Sequence, residues 1–99
     1  MRATAYQVFN KTLAAAGVAE DLVVIDHNLM GSAWKITIVT DKAVYILIDK
    51  EETPTEANSL ELDEGDSYSD DNISITRGLR FLNVTTGETP HVRGILWGG

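Results

Sequence analysis

The side chains in this 99-residue sequence that could do chemistry are two histidines, a dense run of acids and two tryptophans. His27 and His91 are the only imidazoles, and neither falls in a His-x-x-x-His spacing that would bring two onto one metal. A nucleophilic pair would need a Ser or Thr beside one of them in space, and no local pattern marks one. No Gly-x-Gly-x-x-Gly and no phosphate loop is present. The absence of cysteine removes disulfides and thiolate metal sites. Asp63, Glu64, Asp66, Asp70 and Asp71 have the right chemistry for calcium, a hard cation that takes several oxygens. Their order fails the EF-hand pattern, with no acid at the third ligand position and no glutamate twelfth. Charges of one sign packed this densely call for water, a cation or a basic partner to lessen their repulsion. These residues predict no catalytic group, no cofactor and no metal site.

The acids are unevenly placed. Residues 1–50 balance five basic residues against five acids, so the net charge of −7 belongs to residues 51–99. Nine acids lie between Glu51 and Asp71, against Arg77, Arg80 and Arg93 further on. An acidic face repels nucleic acid phosphates, which argues against DNA or RNA as a partner. It suits a basic protein surface or bound cations, or simply keeps the chain soluble. No apolar run approaches the roughly 20 residues that span a membrane, and the first residues turn polar early for a signal peptide. The expectation is a soluble chain made in the cytoplasm.

The elements that must position these groups read as strands. Ser59-Leu60-Glu61-Leu62-Asp63-Glu64-Gly65-Asp66-Ser67 alternates apolar and acidic residues, then turns at Gly65. Residues 4–13 are rich in β-formers, whereas Leu13–Glu20 is alanine-rich and pulls toward helix. Strand followed by a loop at 15–19 is preferred over a helix across 5–16, because no capping box precedes it. Leu22–Ile25 has strand length. Trp34, Ile36 and Ile38 alternate with Lys35 and Thr37, and Asp41-Lys42 reads as a tight hairpin link into Ala43–Ile48. Residues 49–58 contain Pro54 and no periodicity, which predicts a mobile acidic loop. Short strands follow near Tyr68, Ile73–Ile75, Leu79–Val84 and Val92–Trp97. About eight short strands with regular turns predict an all-β fold for residues 1–99: a single antiparallel β-sandwich or jelly-roll-like barrel. The predicted core is Tyr6, Val8, Leu22, Val24, Trp34, Ile36, Ile38, Val44, Ile46, Leu60, Leu62, Phe81 and Leu96.

The order of these pieces resembles small β-sandwich structural proteins of tailed-phage particles. Leu13-Ala14-Ala15-Ala16-Gly17-Val18-Ala19-Glu20-Asp21-Leu22 is similar to their opening, where a strand runs into an Ala-Gly turn. Val44-Tyr45-Ile46, a polar loop and Leu60–Ser67 are similar to their middle. Gly78-Leu79-Arg80-Phe81 and Val92-Arg93-Gly94-Ile95-Leu96-Trp97 complete the order. The acidic stretch 49–58 departs from the more compact pattern. The resemblance implies a non-enzymatic virion protein of the decoration, neck or tail-associated type. Its partners would be capsid, neck or tail subunits, and it would form a homo-oligomer or symmetric array in the particle.

From the residues themselves, Glu61, Asp63 and Asp66 are candidates to meet a basic partner. Arg93 and Trp97 are candidate contacts on the last strand, because arginine and tryptophan are enriched at interfaces. A tryptophan so near the end of the sequence is best explained if the last strand is pinned, in its own sheet or against a neighbour. Two other classes stay open. One is a calcium- or carbohydrate-binding β-sandwich that uses the acidic turns with Trp97 or Tyr68. The other is a small cupin-like enzyme, for which two histidines are few.

Overall fold

The computed structural model describes residues 5–13, 20–25, 27–85 and 87–98. Eight strands follow in order: β1 (Ala5–Thr12), β2 (Glu20–Val23), β3 (Ala33–Thr40), β4 (Val44–Ile48), β5 (Leu60–Leu62), β6 (Ser67–Asp70), β7 (Leu79–Asn83) and β8 (His91–Gly98). A 3₁₀ turn, His27–Leu29, stands between β2 and β3. The strands form two four-stranded sheets, ordered β1-β8-β3-β6 and β2-β7-β4-β5. Every pairing is antiparallel. The pairs β1–β8, β2–β7, β3–β6 and β4–β5 are nested, as if one long hairpin had been rolled up. That nesting defines a jelly roll, and the all-β expectation holds. Residues 5–12 are strand, not helix; the loop expected at 15–19 lies outside the described residues.

The core lies between the sheets. Ile36, Ile38, Val44, Ile46, Leu62, Phe81 and Leu96 are buried, as their alternation predicts. Leu13, Leu29, Ile75, Leu79 and Val92 complete it. Four predicted core residues are exposed instead: Tyr6, Val8, Val24 and Leu60. In β1 the opposite face points inward, because Phe9 faces Gly94 of β8 and its ring occupies the space that glycine leaves. A Cβ at Gly94 would strike both the Phe9 ring and the Thr37 carbonyl oxygen. In β2 the strand ends at Val23, which takes the buried place beside the exposed Val24. Leu60 opens the three-residue edge strand β5, where little covers it. Trp34 is only half-buried: the β3–β8 register shifts between Ala33 and Lys35, and Ala33 takes the inward place. The side chain of Leu22 lies outside the described residues.

Asp41-Lys42 does not close a hairpin. It carries the chain from β3 in one sheet to β4 in the other. The Thr40 hydroxyl bridges this corner by donating to the Lys42 carbonyl at 2.6 Å, and the His91 N–H donates to Asp41 Oδ1 at 2.7 Å. The loop after β4 is anchored at its start. Asp49 adopts a positive φ of 60°, and its Oδ1 accepts from the N–H groups of Thr76 and Arg77 at 2.7 and 2.5 Å. Pro54 is buried, and the Thr55 N–H donates to Asn58 Oδ1 at 2.7 Å. No helix among the described residues is long and apolar enough to cross a membrane.

Candidate functional site

Alternation fixes what each sheet shows to the outside. In the β1-β8-β3-β6 sheet, Phe9, Val92, Leu96, Ile36 and Ile38 point inward. The outward positions therefore include Tyr6, Val8 and Asn10 of β1, Arg93, Ile95 and Trp97 of β8, Lys35, Thr37 and Val39 of β3, and Ser67 and Ser69 of β6, with Thr12 and His91 at one end. Tyr6 is 61% exposed, Val8 64% and Val39 38%, a level of exposure that large apolar residues rarely reach together on one sheet face. Val8, Val39, Arg93 and Ile95 line a shallow groove of about 310 Å³. Lys35 sets its Nζ 4.9 Å from the centre of the Trp97 ring, close enough for a cation–π contact. Arg93 is exposed and has no ion-pair partner among the described residues. No outward strand position of this sheet carries an acid, although the chain has fifteen.

A second groove, about 460 Å³, runs along β3 and β6 and is lined by Lys35, Thr37, Ser69, Asp70 and Asp71. The hydroxyls of Thr37 and Ser69 meet across it at 3.1 Å. Asp70 is already engaged by the Tyr68 hydroxyl at 3.1 Å and the Asn72 N–H at 2.8 Å. Burial and that neighbouring carboxylate raise the Tyr68 phenol above its ordinary value.

The five contact residues expected from sequence do not share one surface. Arg93 and Trp97 stand on the face just described, with Trp97 pinned in its own sheet opposite Tyr6 and Lys35. Glu61 is outward on β5, opposite Tyr45, and so belongs to the far side of the sandwich. Asp63 and Asp66 lie in the turn from β5 to β6, where Asp66 Oδ2 accepts from the Asp63 N–H at 3.0 Å and Gly65 has a φ of 80°. Lys42 approaches this turn with its Nζ 3.6 Å from Glu64. A hydrogen bond with Asp63 is the main cause that raises the Glu61 carboxyl above its ordinary value, with the charges of Asp63 and Glu56 adding to it. Glu56 and Glu61 together also help raise Tyr45, after burial. The β5 side of that face is thus anionic around a tyrosine, while Arg80 stands outward on β7 of the same face with its Nε donating to the Lys50 carbonyl at 3.1 Å.

Sequence reasoning placed Tyr6 and Val8 in the core; it set Lys35 opposite the Ile36–Ile38 row but did not single out Lys35 or Val39 as part of this face. The available signal was that β1 and β3 each carry apolar residues on both faces.

The histidines do not meet. The turn that holds His27 is tied to Tyr6, whereas His91 pairs with Thr12, six residues along β1 and so about 20 Å away. His91 Nε2 contacts Asn10 Oδ1. Among the described residues no three His, Asp or Glu side chains are grouped to hold a metal ion. No family model, curated protein or solved structure matches the chain.

Proposed function

We propose that this chain is a non-enzymatic structural module of a tailed-phage particle, a β sandwich that attaches to capsid, neck or tail in the manner of a decoration or cement protein. One observation carries the reading: Val8 and Val39 flank Arg93, and Tyr6 and Trp97 extend the apolar surface further along the same sheet face, whose outward strand positions carry no acid. A contiguous apolar patch with a polar rim is the form of a protein-binding surface, and arginine and tryptophan are its usual anchors. The jelly roll supports the reading less strongly, since viral capsid proteins, lectins and cupins share it and a fold alone does not define a function. The likeness to phage β sandwiches adds the particle as the setting. The protein would be made in the host cytoplasm and work in the virion, where contacts repeated by symmetry let modest single-site affinity suffice.

Co-sedimentation of the chain with purified particles tests this. Trp97→Ala should weaken attachment by about 2 kcal/mol or more with little salt dependence. Arg93→Ala should weaken it in a salt-dependent way. Wild-type chain that stays in the supernatant, or variants that attach at full strength, would contradict the reading.

Carbohydrate binding is the second reading. Its support is the groove of Lys35, Thr37, Ser69, Asp70 and Asp71, whose Lys35 lies against Trp97. Titration with glycans, followed by tryptophan fluorescence, separates it from the first.

A further inference from the structure

We propose that the outer face of the β1-β8-β3-β6 sheet docks a second copy of this same chain, front to back, with Arg93 and Lys35 of one copy set against the Glu61 side of the next. This rests on the preceding reading that the face is a docking surface, and it names the occupant.

The two sheets of a sandwich look out in opposite directions, so each copy has a front and a back. The front carries Lys35 and Arg93 among apolar residues and no outward strand acid. The back carries Glu61 beside half-buried Tyr45, with Glu56 near enough to act on both. The front offers its two cations on β8 and β3, with Asp70 and Asp71 at its β6 margin; the back offers Glu61 and Glu56 at its β5 side, with Arg80 outward on β7 and its Nε donating to the Lys50 carbonyl at 3.1 Å. A chain of net charge −7 repels its own copies in most orientations. Front to back can bring Arg93 and Lys35 onto the acids at the β5 side. Front to front would gather the Arg93 and Lys35 of both copies in one interface, with acids only at its β6 margins.

Edge pairing, the other common route by which β proteins associate, is obstructed at the long edge strand. The Asn28 amide donates to the outward Tyr6 carbonyl at 3.2 Å, and the Gln7 amide donates to the Val24 carbonyl at 2.9 Å. The 3₁₀ turn thus occupies part of the free edge of β1. The other edge of that sheet, β6, is four residues long.

The front face spans roughly 450 Å² in projection, from strand rise and spacing. That is below the about 800 Å² of accessible surface per partner in a standard interface, so a single contact is weak. A front-to-back contact is heterologous: each copy keeps one side open, and the contact repeats into a ring or a filament. Repetition makes weak contacts additive.

Sedimentation velocity of the full chain across concentration and salt tests the proposal. The wild type should grow in mass with concentration at low salt and less so at high salt. Arg93→Glu and Glu61→Lys should each weaken association about tenfold or more. The double variant, and an equimolar mixture of the two single variants, should recover it. Circular dichroism and melting temperature confirm that each variant folds. A wild type that stays monomeric at the highest attainable concentration and low salt overturns the proposal, as does a double variant no better than its singles. Association lost with Arg93→Glu and insensitive to Glu61→Lys would mean a different contact and would also overturn it. If the chain co-sediments with particles through Arg93 and Trp97 and yet never self-associates, this inference fails and the docking-face reading stands.

Discussion

The rings of Phe9 and Phe81 stack across the sandwich with centroids 5.9 Å apart and planes inclined by 27°. Phe9 belongs to β1 and Phe81 to β7, so this one contact joins the two sheets at the centre of the core. Phe81 is fully buried and Phe9 nearly so. Phe81→Ala should cost about 3–5 kcal/mol, since it removes a large buried side chain and leaves a cavity between sheets. Urea denaturation measures it. Because a loss of that size can unfold a small domain, Phe81→Leu, expected to cost about 1 kcal/mol, keeps the test readable. An unchanged urea midpoint for both would show that the ring does not bridge the sheets.

Gly78 is held at a φ of 98°, and a Cβ there would collide with the Val23 carbonyl oxygen. Its own carbonyl accepts from the Asp49 N–H at 2.9 Å, which ties the β4–β5 loop to the start of β7. Gly78→Ala therefore meets both backbone strain and a clash with main chain that cannot rotate away. It should cost more than Gly31→Ala, at a φ of 80° with open space around it. Strain of this kind is worth about 1–3 kcal/mol, so Gly31→Ala should fall in that range and Gly78→Ala above it. Equal melting temperatures for the two variants would remove the role assigned to the Val23 contact.

Trp34 buries its indole Nε1 with no hydrogen-bond partner among the described residues. An orphaned buried donor costs about 1–3 kcal/mol, which offsets part of what the ring gains by packing. Trp34→Phe keeps most of the ring and deletes the donor. It should leave stability unchanged or raise it by about 1 kcal/mol. A loss greater than that in chemical denaturation would mean that the indole N–H is satisfied in solution.

Where a strand has one apolar face, the sequence identifies that face. Leu62, the acidic turn at Gly65 and the Ile36–Ile38 alternation appear in the structure as read, whereas Leu60, in the same row as Leu62, is exposed on the edge strand. Where both faces carry apolar residues, periodicity alone has no sign. In β1, Tyr6 and Val8 form one apolar row and Phe9 with Leu13 another, and only the Gly94 opening in β8 decides for Phe9. The same ambiguity concealed the apolar outer face of this sheet, since an outward apolar row looks like a core row until the partner strand is placed. The Asp41-Lys42 link shows a related limit. A two-residue connection fits a hairpin and a sheet-to-sheet corner equally, and the choice depends on β8 and β6 flanking β3 from remote parts of the chain. The candidate residues Arg93 and Trp97 were legible by type, whereas their separation from Glu61 by the thickness of the domain was not.

Glu61 gives the stability of the chain a pH dependence of unusual sign for a carboxylate. Its folded-state value is raised, chiefly by a hydrogen bond with Asp63 that favours the protonated form, then by burial and by the charges of Asp63 and Glu56. The folded chain thus holds this proton more tightly than the unfolded chain, whose carboxyl titrates near the ordinary 4.5. In the window between that value and the raised one, the native state binds more protons, so stability falls as pH rises. Above the window, the ionised Glu61 is a standing cost. Glu61→Gln removes the charge and should raise the melting temperature at about pH 7, with no gain at about pH 3.5, where both states are protonated. The measurement belongs at dilute protein, where separate copies cannot offset the effect through Arg93. Asp63→Ala should move the Glu61 carboxyl back toward its ordinary value, as read by an NMR titration of that side chain. A melting temperature for Glu61→Gln equal to or below the wild type at neutral pH would mean that Glu61 is satisfied within its own chain, and the acid patch would then have no excess repulsion for a cationic partner to relieve.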